Sequence, residues 1–252
     1  MRFSANTGFL FKELPFLERI GAAARAGFDA VEFHDEWRHE ALDDLRAALR
    51  EAGLPLVGLN TRMEDTAGCA AIPGEEARAR EDAEAAIEAA RALGGRGVHV
   101  MAGKVEPSDE AMAAYRANLA HACERAEGLT ILIEPLSAKA MPVYPLRTTA
   151  GAAALIETVG APNLRIMFDL FHVHGEGDDP LATFEAHAAK VGHVQIADPH
   201  TRHEPRTDGP HAIAPLLQAL AARGYDGPFG CEYVPQAGVE AGLGWMGACR
   251  NA

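Results

Sequence analysis

Residues 130–172 read TILIEPLSAKAMPVYPLRTTAGAAALIETVGAPNLRIMFDLFH. The stretch opens on four apolar or β-branched residues, Thr130 to Ile133, closes on a second, mainly apolar run, Arg165 to Phe168, and carries an Ala-rich amphipathic segment, Thr149 to Val159, between them. Short apolar runs bounded by turn signals predict buried strands, and the longer segment predicts the crossover helix of a βαβ unit. Each run ends in a carboxylate, Glu134 and Asp169.

The same unit repeats outward in both directions. Further strands are expected at Arg2 to Ala5, Ala30 to Phe33, Leu56 to Leu59, Gly97 to Met101, His193 to Ala197 and Phe229 to Cys231. Helices are expected at Pro15 to Ala26, Glu40 to Glu51, Glu75 to Leu93, Asp109 to Ala126, Pro180 to Ala188 and Ile213 to Arg223. Ser108 precedes an acidic first turn, and Gly27, Gly53, Gly94 and Gly224 follow the last helical residues, as helix starts and stops require. Eight strands in 252 residues give about 31 residues per unit, which suits a single (β/α)8 TIM barrel better than an open doubly wound sheet, the competing arrangement. No Ser- or Pro-rich linker interrupts the chain, so residues 1–252 are expected to form one domain.

Composition narrows the function. Hydrophobic residues make up 48% and charged residues 23%, enough for a sizeable core. The formal net charge of -13 opposes attraction to nucleic acid or anionic membrane surfaces, so neither is expected as a partner. No segment has the apolar length of a membrane span, and the first residues do not read as a signal peptide. Cys69, Cys123, Cys231 and Cys249 are widely spaced and form no C-x-x-C pair, which points to a reducing, cytoplasmic setting and away from a thiolate metal site. A homo-oligomer is left open.

In a barrel, reactive side chains gather where strands end. Four polar residues at or near successive strand ends stand out: Glu134, Asp169 and Glu232, which each follow an apolar run, and Gln195 within His193-Val-Gln-Ile-Ala-Asp198, at separations of 35, 26 and 37 residues, each near one βα unit. Three carboxylates and an amide converging there need a cation to offset their repulsion. An all-oxygen set favours a hard ion, Mg²⁺ or Mn²⁺, over zinc. His172, three residues after Asp169, is expected to meet a substrate oxygen or orient a carboxylate. Arg202, in the loop after the seventh strand, is a candidate anion clamp or else a surface partner of Glu204. Lys139 is a candidate second anion contact or else an exposed loop lysine. Glu32 and Asn60 end the second and third strands and are expected to line the pocket or hold water. Gly94-Gly-Arg-Gly97 lacks the spacing of a dinucleotide fingerprint, and no phosphate-binding P-loop occurs.

Ile131-Leu-Ile-Glu-Pro-Leu136, Phe168-Asp-Leu-Phe-His172, His193-Val-Gln-Ile-Ala-Asp198 with Arg202-His-Glu-Pro205, and Gly230-Cys-Glu-Tyr233 resemble the hydroxypyruvate isomerase family of xylose isomerase-like TIM barrels. Ala26-Gly-Phe-Asp-Ala-Val-Glu-Phe33 and Ala241-Gly-Leu-Gly-Trp245 extend the likeness through nearly the whole chain. The resemblance implies a divalent ion held by Glu134, Asp169, Gln195 and Glu232, with the two glutamates also serving as the acid/base pair. It implies isomerisation of hydroxypyruvate to 2-hydroxy-3-oxopropanoate (tartronate semialdehyde) through an enediolate, with His172, Arg202 and Lys139 contacting the substrate. Gln195 stands where the ketose 3-epimerase branch usually has histidine. Arg206-Thr-Asp-Gly-Pro-His211 departs from the family's usual Gly-Thr-Gly-Glu, which leaves open a small hydroxy or keto acid or a sugar as the substrate. A sugar 3-epimerase, another keto-acid isomerase and a non-catalytic small-acid-binding barrel are the competing readings. An endonuclease IV-like nuclease fits the charge poorly.

Overall fold

All eight apolar runs form parallel strands: β1 (Phe3–Asn6), β2 (Ala30–Phe33), β3 (Leu56–Asn60), β4 (Gly97–His99), β5 (Thr130–Ile133), β6 (Leu164–Asp169), β7 (Val191–Ile196) and β8 (Phe229–Cys231). The computed structural model describes residues 1–251. Each strand pairs with its neighbour in sequence, and β8 returns to β1 to close the barrel, with Phe3 opposite Phe229 and Ala5 opposite Cys231. Closure excludes the doubly wound alternative. β4 stops at His99, short of Met101, because Ala102 turns to bridge Gly68 in the preceding loop.

The helices are α1 (Phe16–Arg25), α2 (Leu42–Ala52), α3 (Glu76–Leu93), α4 (Asp109–Arg125), α5 (Thr149–Val159), α6 (Leu170–Gly175), α7 (Pro180–His187), α8 (Ile213–Ala222) and α9 (Gly244–Asn251). Ser108 caps α4, its side chain accepting from Ala111 N at 3.1 Å, while Gly53 and Gly94 end α2 and α3 in the left-handed region. Two helices escape the sequence reading. α6 spans six residues, too few to show a period, and is capped by Asp169, whose Oδ1 accepts from Phe171 N at 2.7 Å. α9 contains Gly244 and Gly247, yet it buries Trp245 edge-on against Phe3, centroids 5.0 Å apart. No helix among the described residues is long and apolar enough to cross a membrane.

Side chains alternate across each strand. Phe3, Val31, Ile131, Ile133, Ile166, Phe168, Val194 and Phe229 belong to the apolar core. Their alternates are a different population: Ser4, Glu32, His99, His193 and Gln195 are buried and polar. Asn6, Glu32, Asn60, His99, Leu132, Met167 and His193 line a small space inside the barrel. A polar interior beneath an active rim needs internal partners for every group, and these partners shape the site above it.

Candidate active site

Successive strands deliver four oxygen donors to one side of the barrel rim. Glu134 follows β5, Asp169 ends β6, Gln195 lies near the end of β7 and Glu232 follows β8. The register sets Asp169 opposite Gln195 and Gln195 opposite Gly230, two residues before Glu232. All four side chains are buried. One oxygen of each, Glu134 Oε1, Asp169 Oδ2, Gln195 Oε1 and Glu232 Oε2, has no hydrogen-bond partner. A buried acceptor left unpaired costs about 1–3 kcal/mol, more when charged. Four of them on adjacent strands call for a ligand.

Glu32, across the barrel on β2, determines which atom Gln195 offers. Its carboxylate accepts from Gln195 Nε2 at 2.9 Å, from His193 Nε2 at 3.1 Å and from Ser4 Oγ at 2.6 Å. With its NH₂ group held by Glu32, Gln195 is left with a buried carbonyl oxygen that has no hydrogen-bond partner. Gly230 makes room for this cluster: a Cβ there would fall on Glu32 Oε1 and come within 2.7 Å of His193 Nε2.

His172 lies on the first turn of α6, with Nε2 at 3.8 Å from Glu134 Oε1 and 3.7 Å from Asp169 Oδ2. Its Nδ1 accepts from the Ser137 backbone N–H at 3.2 Å. Burial and the nearby Arg202 hold its pKa down to about 3, so the ring is neutral. A neutral ring that accepts at Nδ1 carries its proton on Nε2. His172 therefore presents an N–H donor to the site, which suits a substrate oxygen better than a metal ion.

Arg202 reaches in from the β7–α8 loop, residues 197–212. Its Nη2 stands 3.2 Å from Glu232 Oε1 and 3.8 Å from Asp169 Oδ2, and its guanidinium lies over Phe9 and Phe171, at 4.7 and 5.0 Å from the ring centroids. The backbone of Arg202 is left-handed, φ 58°, held by its N–H on Asp198 O at 3.0 Å and its carbonyl on Val234 N at 2.8 Å. Non-glycine residues adopt that conformation at a cost of about 1–3 kcal/mol, and it is concentrated at functional sites. The contact with Glu232 takes the place of the alternative, a surface pairing with Glu204. Lys139, by contrast, is exposed in the turn after β5, and its charge acts on His174.

Two rim residues went unread in the sequence. His34 Nε2 lies 3.5 Å from Glu232 Oε1, and His99 Nδ1 lies 3.8 Å from Glu134 Oε2. Burial favours the neutral ring at His34, but Glu232 raises its pKa overall. His99 is driven to about 4, mainly by burial. The carboxylates diverge. Burial, Glu232 and Asp169 push Glu134 well above the usual carboxylate range, and burial with Glu232 lifts Asp169 to about 7. Burial would raise Glu232 as well, yet the His34 hydrogen bond and Arg202 hold it down to about 2. Three carboxyl groups beside one guanidinium cannot all ionise cheaply, and a divalent cation held by their unpartnered oxygens would stabilise the ionised forms. The donor set therefore fits a hard ion.

A sequence profile of the family described as xylose isomerase-like TIM barrel matches residues 20–249. The chain is 40% identical over 255 residues to the 2-oxo-tetronate isomerase of Cupriavidus necator, covering 97% of each protein. It is 36% identical over 259 residues to the hydroxypyruvate isomerase of Escherichia coli, covering 99% of this chain and 100% of that one. A solved Brucella melitensis structure described as an AP endonuclease of family 2 superposes with a TM-score of 0.93 at 34% identity, over 98% of both chains.

Proposed function

Because the chain belongs to the xylose isomerase-like TIM barrel family, we propose that it is a divalent-metal-dependent keto-acid isomerase converting a 2-oxo-3-hydroxy acid to its 2-hydroxy-3-oxo isomer. Hydroxypyruvate, giving tartronate semialdehyde, is the first substrate to test. The relative named for 2-oxo-tetronate, a keto acid one carbon longer, supplies the second. The observation that carries the reading is the set of four unpartnered buried oxygens on β5 to β8.

Glu134, Asp169, Gln195 and Glu232 would hold the ion, Mg²⁺ or Mn²⁺ by the hardness of the donors. When bound, the ion polarises the substrate carbonyl and offsets the negative charge that develops as a carbon-bound proton leaves. The protein's own groups do the rest. Arg202, flattened between Phe9 and Phe171, receives the substrate carboxylate. The Nε2–H of His172 donates to a substrate oxygen and stabilises the enediolate. Glu134 and Glu232 act as the proton-transfer pair, one taking the proton from C3 and one returning a proton to C2. The neighbouring oxygens exchange roles as carbonyl and hydroxyl, so the product is an isomer with no net redox change. Lys139, outside this ring of groups, is proposed to meet only the entering anion. The net charge of -13 and a rim with one guanidinium among three carboxylates suit a small acid rather than a phosphate backbone.

The test is an assay of chelator-treated protein in deuterated water, with Mg²⁺ or Mn²⁺ added back and hydroxypyruvate or 2-oxo-tetronate as substrate. Metal-dependent turnover with deuterium at the accepting carbon is expected. Glu134→Gln and Glu232→Gln should each lose on the order of 10²–10⁴ in rate. Turnover of the longer acid alone keeps the site and replaces the substrate. Tight metal binding with no exchange of carbon-bound protons on either acid overturns the reading in favour of a binding protein.

A further inference from the structure

Beyond the carboxylate rim, three imidazoles meet. His174 projects from α6, while His200 and His211 come from opposite ends of the β7–α8 loop. Their rings stand edge to face, with centroids 5.0 Å apart for His174 and His200, 5.2 Å for His174 and His211, and 4.8 Å for His200 and His211. One ligating nitrogen of each ring lies within 4.8 Å of the other two. Among the described residues, none of the three rings makes a side-chain hydrogen bond to the protein; the His200 contact to Asp198 Oδ1 is through its backbone N–H. His174 and His211 are half-buried and line a cavity of about 660 Å³, and His200 is exposed, so solvent and ions have access.

Simple packing explains this arrangement poorly. Three imidazoles brought together repel one another when protonated and leave nitrogen lone pairs unused when neutral. Burial together with His200, His211 and Lys139 lowers the pKa of His174, against the opposing charge of Asp198, which keeps that ring in its ligating form. Zn–N bonds of about 2.0–2.1 Å in tetrahedral geometry set ligand nitrogens about 3.3 Å apart, so the present cluster needs to close by about 1.5 Å at most. Rotations of partly exposed side chains cover that distance. The donor chemistry also differs from the rim: nitrogen-only ligands suit zinc and its transition-metal neighbours and bind magnesium poorly.

We propose that His174, His200 and His211 form a second metal site, selective for Zn²⁺ over Mg²⁺, with a solvent-filled fourth position. The ion ties both ends of the β7–α8 loop to α6. That loop carries Arg202, so the site clamps the segment from which the guanidinium reaches the carboxylates. None of this depends on the reaction the rim performs, and the site stands or falls by its own ligands.

The experiment uses the full chain without an affinity tag, stripped by chelator and then held in excess Mg²⁺ to fill the oxygen site. Zn²⁺ binding is measured by equilibrium dialysis, and Co²⁺ is used as the visible-absorption probe. Wild type should keep one Zn²⁺ per chain against excess Mg²⁺, show ligand-field bands with Co²⁺, and gain thermal stability on Zn²⁺ addition. His200→Ala and His211→Ala, with unchanged circular dichroism, should each weaken Zn²⁺ binding by roughly a hundredfold and lose the thermal gain. His187→Ala, on α7 outside the cluster, should match wild type. Absence of Zn²⁺ binding by wild type in excess Mg²⁺, or retention of wild-type affinity by both cluster variants, overturns the proposal.

Discussion

Replacing Glu32 by leucine separates the proposed ligand set from the network that orients it. Glu32 touches none of the unpartnered oxygens; it receives Ser4 Oγ, His193 Nε2 and Gln195 Nε2 inside the barrel. Glu32→Leu removes the shared acceptor of three buried donors at once. Breaking a buried charged network by deleting one partner costs about 3–5 kcal/mol. In a protein of this size that corresponds to a Tm lower by roughly 6–20 °C. The effect on the rim is separate: once its NH₂ group is released, nothing fixes which end of the Gln195 amide is left unpartnered. Loss of such a supporting contact weakens metal affinity by about 10–100-fold, or roughly 1.4–2.7 kcal/mol. Glu32→Gln keeps an acceptor for the Gln195 amide and should retain most of that affinity. Mn²⁺ binding, followed by the electron paramagnetic resonance of the free ion well below the melting temperature, reads the difference. A folded Glu32→Leu protein that binds Mn²⁺ as tightly as wild type would refute the orienting role.

Gly230→Ala pushes a methyl group into the same network and should cost about 1–3 kcal/mol, read as a lower Tm and weaker Mn²⁺ binding together. An unchanged melting curve would mean that the network shifts without strain. Arg202→Lys loses the flat stacking on Phe9 and Phe171 and the forked donor, so KM for a keto acid should rise about tenfold or more with a smaller change in kcat; steady-state kinetics with the main effect on kcat would contradict the carboxylate contact. Burial raises the pKa of all four tyrosines, Tyr115, Tyr144, Tyr225 and Tyr233. Unfolded tyrosine ionises near pH 10, so above that pH the unfolded state holds fewer protons and stability falls as pH rises. Phenolate absorbance should therefore appear only with loss of helical circular dichroism, and a phenolate signal at pH 11 from an intact fold would count against this reading.

The rim was legible because Glu134, Asp169 and Glu232 each follow an apolar run, Gln195 lies within another, and roughly one βα unit separates each from the next. Strand ends carry that signal in the linear sequence. The support beneath the rim carries none: Glu32 and Gln195 are 163 residues apart and meet only because β2 and β7 face each other across a closed barrel. His34 and His99 fall in the same class, since nothing local distinguishes a rim histidine from one packed in a loop. The His174, His200 and His211 cluster depends on how the 197–212 loop folds back on α6, which periodicity does not report. α6 itself was too short for its period to show, and the glycines of α9 disguised a helix that tertiary contact stabilises. Lys139 illustrates the converse, a residue of suggestive type and position whose turn holds it outside the ring of groups around the carboxylates.

The closing pair of strands has a consequence in time. β1 emerges from the ribosome first, but its β8 partner follows roughly 220 residues later, a delay of about 10–45 s at typical rates of synthesis. Throughout that interval β1 has one edge whose backbone groups have no native partner, and Phe3 lacks the cover that Trp245 later supplies. Such an edge invites pairing with other nascent chains. Overproduction at high synthesis rates should therefore be limited by the wait for the last strand, and slower elongation should not relieve it; protection of the unpaired edge should.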